Sequence, residues 1–322
     1  MYDFLSIGEM LIDFTPQIVD NEKVTYVPNP GGAPANVACV LAKLGTKAAF
    51  CGKVGDDAFG QLCISALSEC GADTTFVALS EQPTSLACVH IDRDGDRSFT
   101  FYRNATADTQ LNETDVAALP FAETGIFHFG TVSLSAEPSK SATLAAVARA
   151  HKQKVIVSCD LNLRENLWGS KAEMMECINR DVLVPGLISI LKVSTEELYA
   201  VTGECDIAKA ANALAEKCSI PIILVTEGKE GCSALINGKL YKKAAYAVDA
   251  VDTTGAGDCF LAGFLYCLLR EKIGDLSLLT DEFAHGALRF ANAMAAISTT
   301  RPGGIPSVPF LDEIYAMLKE KV

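Results

Sequence analysis

The sequence predicts an α/β protein built on a mainly parallel sheet with helices on both faces, carrying a small β appendage. Three observations predict this. From about residue 125 onward, short apolar runs alternate with helical patterns: IFHFG, EPSKSATLAAVARAHKQ, VIVSCD, ISILKV, TEELYAVTG and IILVT, which is the succession of βαβ units. Two earlier stretches, 14–27 and 85–103, break that succession and read as β. The chain has 322 residues, 49% hydrophobic and 21% charged, enough for a large core formed as one domain or as one domain with an appendage.

In chain order, SIGEML opens the α/β body as a first strand. The stretch 14–27 leaves it for the appendage. GGAPANVACVLAKLG then predicts a glycine loop and a helix, with apolar residues at Val37, Val40, Leu41 and Leu44 on one face and a stop at Gly45. SLACVHIDRDGDRSFTFYR carries β-type residues on both sides of an Asp94-Gly95 turn. Both β stretches are insertions into the body, so the appendage, taken as about 14–30 and 85–105 of a 1–322 domain, is discontinuous in sequence and continuous in space. From residue 125 the βα alternation runs on to a helix from Cys259 to Arg270. In such sheets the site lies at the carboxyl ends of the strands, and the appendage is placed to cover it.

Net charge is -13 and no block of Lys and Arg stands out, which speaks against a nucleic-acid groove or an anionic membrane surface and for a small ligand. No basic leader, and no apolar segment long enough to span a bilayer, is evident, so a cytoplasmic protein is expected. The sequons at Asn104 and Asn112 are then chance matches. Twelve cysteines are spread along the chain without a C-x-x-C pair, several on apolar faces (Cys39, Cys63, Cys267), and read as small core residues. The four histidines are far apart and give no zinc spacing.

Two stretches carry chemistry. DTTGAGD, residues 252–258, places Asp258 behind Gly255-Ala256-Gly257 at a helix start. A glycine turn with an acid in the first helical turn needs no ligand to explain it. The same geometry also makes an anion cradle from free N–H groups, suited to a transferring phosphoryl group, with a carboxylate beside it that the helix N-terminus keeps ionised and able to take the proton of an attacking hydroxyl. Gly255-x-Gly257 lacks the third glycine of a dinucleotide fingerprint, and no P-loop occurs. At the other end of the chain, Gly31 and Gly32 allow close approach of a ligand, and Asn36 offers a donor and an acceptor to a polyol.

Together, GGAPAN near the N-terminus and DTTGAGD near the C-terminus resemble the paired signatures of the PfkB, or ribokinase-like, carbohydrate kinases, and the resemblance spans the chain. It implies a three-layer α/β/α sandwich with a β lid, transferring the γ-phosphate of ATP to a sugar hydroxyl with Mg2+. Asp258 matches the base, and Gly255, Ala256 and Gly257 the anion hole. Asp13 in SIGEMLIDF stands where the family keeps a carboxylate for sugar hydroxyls; a turn residue ending the first strand is its plain alternative. Asp160, Asn162 and Arg164 in SCDLNLRENLW resemble a D-x-N-x-R segment, with Arg164 meeting sugar or phosphate. ILKVSTEELYAVTG matches the segment that places Lys192 near the nucleotide and Glu197 in the magnesium-water network, with Ser194 where the family has Asn. Thr226, Gly228 and Gly231 match the nucleotide turn, though a hairpin would use the same glycines, and Asn292 completes the cleft. Asp252 and Thr254, with backbone near Ser298, Arg301 and Gly303, align with a loop that binds a monovalent cation such as K+ in many relatives.

Within the family, FTFYRNATAD and DLNLRENLW look most like fructokinases. Phe101 and Tyr102 would cover a furanose ring and Arg103 would add a donor, giving a sugar wall of Asp13, Gly31, Gly32, Asn36, Phe101, Arg103 and Arg164. The resemblance leaves 2-keto-3-deoxygluconate kinase and aminoimidazole riboside kinase as alternatives, and a catalytically silent sugar-binding protein as a different class. An open edge of the lid sheet would allow a homodimer.

Overall fold

The computed structural model describes residues 1–19, 23–91, 97–183 and 186–320. Its strands are β1 (Tyr2–Ile7), β2 (Leu11–Val19), β3 (Lys23–Gly31), β4 (Ala48–Gly55), β5 (Asp73–Ser80), β6 (Ser85–Ile91), β7 (Arg97–Tyr102), β8 (Thr124–Gly130), β9 (Ile156–Asp160), β10 (Ile190–Ser194), β11 (Ile222–Thr226), β12 (Cys232–Ile236) and β13 (Lys239–Lys243). A nine-stranded sheet runs β13-β12-β11-β10-β9-β8-β1-β4-β5, and a four-stranded sheet runs β3-β2-β6-β7. In the larger sheet every pairing is parallel except β11 with β12 and β12 with β13.

The helices are α1 (Ala33–Lys43), α2 (Ala58–Glu69), α3 (Glu113–Val116), α4 (Ser139–Lys152), α5 (Lys171–Cys177), α6 (Thr195–Thr202), α7 (Ile207–Cys218), α8 (Ala256–Arg270), α9 (Asp281–Ser298) and α10 (Leu311–Glu320). They cover both faces because successive strand residues point to opposite sides. Phe4, Phe50, Ile126, Ile190 and Leu224 enter one core with α1, α8 and α9. Leu5, Cys51, Phe127, Leu191 and Val225 enter the other with α4 and α7. The result is a three-layer sandwich. Each of these fully buried large side chains contributes about 1.5–3 kcal/mol. Most cysteines belong to these cores, and all twelve are free thiols.

The smaller sheet comes from the two stretches foreseen as an appendage, with shifted bounds. Its first strand starts at Leu11, so Asp13 lies inside β2, opposite Asn29 of β3 and Ala87 of β6, and not in a turn ending the first strand. The Asp94-Gly95 turn lies outside the described residues. Between Gly231 and Asp252, where no element is foreseen, β12 and β13 form a hairpin about Asn237 (φ 49°) and Gly238 (φ 79°). Asn-Gly is the favoured pair for that left-handed turn.

Candidate active site

The carboxyl ends of β9 and β10, the β1–β2 turn, the starts of α1 and α8 and the inner face of the smaller sheet enclose a cavity of about 370 Å3. Leu11, Asp13, Phe99 and Phe101 face it from the smaller sheet, opposite Asn162, Arg164, Lys192 and Glu197 from the larger. The reason is topological: parallel strands send their ends, and the loops that follow, to one side.

At the start of α8, Gly255 is the left-handed N-cap, with φ 76° and no side chain to cap the helix. The amides of Gly255, Gly257 and Asp258 have no hydrogen-bond partner among the described residues, while that of Ala256 donates to Thr253 O at 3.2 Å. Ala256 is thus a correction to the cradle: three of the four foreseen amides are open. Gly257 is closely approached: a Cβ there would lie 2.9 Å from Lys192 Nζ, the end of a flexible side chain. The ammonium therefore stands directly against the open amides.

Asp258 is buried at 8% exposure, and its Oδ2 accepts from Asn36 Nδ2 at 2.7 Å. Burial, reinforced by the Asp160 carboxylate, pushes it up to about 6, against the pull of Asn36, Lys192 and Arg164. The sequence reading, in which the helix N-terminus keeps Asp258 ionised, did not include this upward push, whose largest cause is desolvation. Asp160 pairs with Lys192 Nζ at 3.1 Å through Oδ2, while its Oδ1 is buried without a partner among the described residues. Asp13 is pushed up to about 7 by burial, opposed by Arg164 and reinforced by Asp258 and Asp252. Arg164 Cζ lies 6.0 Å from the Phe99 ring centroid and so reaches from the loop after β9 to the smaller sheet.

A second cleft, of about 1050 Å3, adjoins the first. Ser194, Thr253 and Gly257 line both. Thr226, Gly228, Gly231 and Asn292 line the second. Asn162, Lys192 and Glu197, foreseen on the nucleotide side, line the smaller cavity, and Asp160 sits behind Lys192. Glu197 is held by two backbone donors, Leu163 N on Oε1 at 2.6 Å and Ser194 N on Oε2 at 2.8 Å, while Ser194 Oγ accepts from Glu197 N at 3.2 Å. Ser194 therefore caps α6, a role serine fills as well as asparagine.

Comparison with known proteins gives the family directly. The family described as pfkB family carbohydrate kinase matches residues 1–311. The chain belongs to the pfkB family of carbohydrate kinases. It is 38% identical to a probable fructokinase-5 of Arabidopsis thaliana over 98% of this chain and 97% of that one. Among solved structures, it is similar to an ATP-bound fructokinase from Xylella fastidiosa (TM-score 0.87, 28% identity, 100% of this chain and 99% of that one). It is equally similar to a fructokinase double mutant from Vibrio cholerae O395 in a fructose-, ADP- and potassium-bound form (TM-score 0.87, 32% identity, 98% of each chain).

The remaining foreseen residues of this pfkB kinase divide. Asp252 is buried, its Oδ1 accepting from Thr254 N at 2.7 Å and its Oδ2 from Gly303 N at 2.9 Å, which ties the turn before α8 to the loop after α9. Ser298 Oγ donates to Ala295 O, and the Arg301 side chain turns away to Glu313, leaving only their backbone for that loop. Gly31 and Gly32 border Asp13 and Glu9, and Phe101 lines the cavity stacked 6.0 Å from Phe99. Tyr102 is 60% exposed on the outer side, so Phe99, two residues before Phe101 and on its face of the strand, takes the place foreseen for Tyr102. Arg103 is a correction: its Nε donates to Asp108 Oδ2 at 2.6 Å and its Nη1 to Ser135 Oγ at 2.7 Å, and it does not line the cavity.

Several wall residues were not foreseen. Glu9, Val132 and Thr253 line the smaller cavity. The segment Ala245–Val248 with Ala295, Ala296 and Thr299 gives the larger cleft an apolar wall, held in place by Asn292 Nδ2 donating to Ala244 O at 3.1 Å. A run of small apolar residues directly before DTTGAGD was the available signal.

Proposed function

We propose that this pfkB kinase is a fructokinase that transfers the γ-phosphoryl group of ATP to the 6-hydroxyl of fructose. The observation that carries the reading is the position of Asp258: a buried carboxylate in the sugar-sized cavity, one residue from Gly257, which also lines the larger cleft. ATP in that cleft directs its γ-phosphoryl group at the joint, and the sugar hydroxyl waits beside Asp258.

In this mechanism Asn36 orients Asp258, whose free oxygen accepts the hydroxyl proton as the oxygen attacks phosphorus. With its carboxyl raised to about 6, Asp258 is mostly ionised at neutral pH and still a better base than an ordinary aspartate. The open amides of Gly255 and Gly257, with Lys192 beside them, stabilise the charge spreading over the phosphoryl oxygens. Asp13 accepts from ring hydroxyls, Phe99 and Phe101 cover the apolar side of the ring, and Arg164 bridges sugar and phosphate.

Magnesium fits a site with few protein donors. No group of three metal-ligating side chains occurs among the described residues, and Asp160 offers one unpartnered carboxylate oxygen. An ion carried in on nucleotide phosphates, keeping its waters, needs no more from the protein. Asp160, with Glu197 behind the waters, would hold it, and it would neutralise the phosphates. A potassium-type cation is proposed for the backbone loop braced by Asp252. A homodimer through the open edges β3 and β7 is proposed because Tyr26 and Tyr102 expose apolar surface there, at 46% and 60%; light scattering in solution tests it.

The 2-keto-3-deoxygluconate alternative depended on Arg103 for the acid. With Arg103 Nε on Asp108, Nη1 on Ser135 and the residue outside the cavity lining, the wall suits a neutral sugar. The test is ATP consumption against fructose, 2-keto-3-deoxygluconate, ribose and nucleosides, with the product's phosphorylated carbon assigned by NMR. Fructose as the best substrate, giving the 6-phosphate, supports the reading; a preference for any other member of the panel refutes it.

A further inference from the structure

Glu9 is an acidic residue in the sugar cavity with no task in the reaction above, its carboxyl pushed up to about 7 by burial. It sits in the turn between β1 and β2, only 3% exposed, and lines the cavity. Its Oε1 accepts from Ala33 N at 3.0 Å, the first amide of α1, whose N-cap Gly32 has no side chain to do so. Gly32 is pressed against it: its φ is 126°, and a Cβ there would lie 2.3 Å from Glu9 O. Capping α1 explains one oxygen. The other, Oε2, is buried and has no partner among the described residues.

A buried carboxylate oxygen without a donor costs about 1–3 kcal/mol or more, which a purely structural cap would not require. The charges acting most on Glu9 are Arg103 and Asp108. Those acting most on Asp258 are Asp160, Lys192 and Arg164. Glu9 is bonded to Ala33 and Asp258 to Asn36, three residues further along α1, so the two carboxyls border the cavity at successive turns of that helix. Next to Glu9, Arg103 Nη2 is also buried without a partner among the described residues. A hydroxyl has one proton to give and lone pairs to offer, so an acceptor facing it and a cation nearby suit it.

We propose that Glu9 determines sugar specificity: its Oε2 binds the hydroxyl at the end of the sugar opposite the phosphorylated one, which in fructofuranose is the 1-hydroxyl. The inference rests on the fructokinase reading and adds the subsite that reads the far end of the substrate. A site built to pair a hydroxyl rejects the analogue that lacks it, because its own polar group is left unpaired.

The experiment compares kcat/KM for fructose and 1-deoxyfructose in wild type, Glu9→Gln and Glu9→Leu, with KM for ATP and fructose binding by calorimetry alongside. Wild type is expected to favour fructose by on the order of 10- to 100-fold, the value of a hydrogen bond to a charged group. Glu9→Leu should bring the two sugars within about 3-fold by losing fructose alone, with KM for ATP unchanged. Glu9→Gln keeps an acceptor for Ala33 N, so it preserves the cap if the leucine variant fails to fold, and should lower the preference about 10-fold. Equal loss for both sugars would reduce Glu9 to a helix cap and overturn the proposal, as would an unchanged preference in either variant or no preference in wild type. A wild type that phosphorylates neither sugar overturns the fructokinase reading itself, a distinct outcome.

Discussion

Lys192→Met removes the ammonium that stands in the smaller cavity beside Gly257, and the structure sets the size of two separate effects. The first is on stability. Asp160 is 1% exposed and its only ion pair among the described residues is with Lys192, at 3.1 Å. Removing one partner of a buried pair leaves the other charge uncompensated, at a cost of about 3–5 kcal/mol. Adding Asp160→Asn should recover most of that, since no unpaired buried charge is left. The second effect is on the base. Lys192 lowers the proton affinity of Asp258, whose carboxyl stands at about 6, so its loss raises that value further. Catalysis needs the ionised form, and kcat/KM reports the free enzyme, so the acid limb of its pH profile must move to higher pH. Urea denaturation measures the first effect and the pH dependence of kcat/KM the second. A loss under about 1 kcal/mol together with an unmoved limb would refute the assigned electrostatics.

Asp13→Ala should weaken fructose binding far more than ATP binding, measured by calorimetry, since Asp13 faces only the smaller cavity; equal loss for both ligands would mean a misplaced residue. Amide exchange in Ser85–Ile91 and Arg97–Tyr102 should slow when fructose saturates the enzyme, if the smaller sheet closes over the sugar to exclude water as a phosphate acceptor. Unchanged exchange in both strands would sink that closure. Arg103→Ala should lower stability by about 3–5 kcal/mol, because it strands buried Asp108, and should create no new ranking between fructose and 2-keto-3-deoxygluconate. A variant as stable as wild type with its preference for a sugar acid altered would return Arg103 to the sugar wall.

What could be read from the sequence follows the range of the forces involved. The alternation from IFHFG to IILVT gave β8 through β11, because strand and helix periods are local. The start of α8 was legible to within a turn, foreseen at Cys259 and observed at Ala256, because Gly255-Ala256-Gly257-Asp258 is one turn of chain. Even there, the proton affinity of Asp258 was not, since its burial and the approach of Asp160 come from distant segments. Arg103 was placed on the sugar because nothing local says that Asp108 and Ser135 will claim it. Tyr102 and Phe99 differ only in which face of β7 they occupy, and that register is set by pairing with β6. Glu9 was invisible as a site residue inside SIGEML, which reads as plain strand. Only the meeting of Glu9 with Ala33 and the cavity shows what it does. The Asn237-Gly238 hairpin had a local signal in that pair of residues and was still not foreseen.

Whether Asp258 takes the hydroxyl proton is tested most directly by Asp258→Asn, assayed for single-turnover phosphoryl transfer alongside fructose and ATP binding. The asparagine keeps an oxygen to accept from Asn36 Nδ2, so the cavity should persist. Both affinities are expected within a few-fold of wild type, while the transfer rate falls by about 10^2–10^4, the range for removal of a general base. Transfer at a near wild-type rate with both ligands bound would contradict the account.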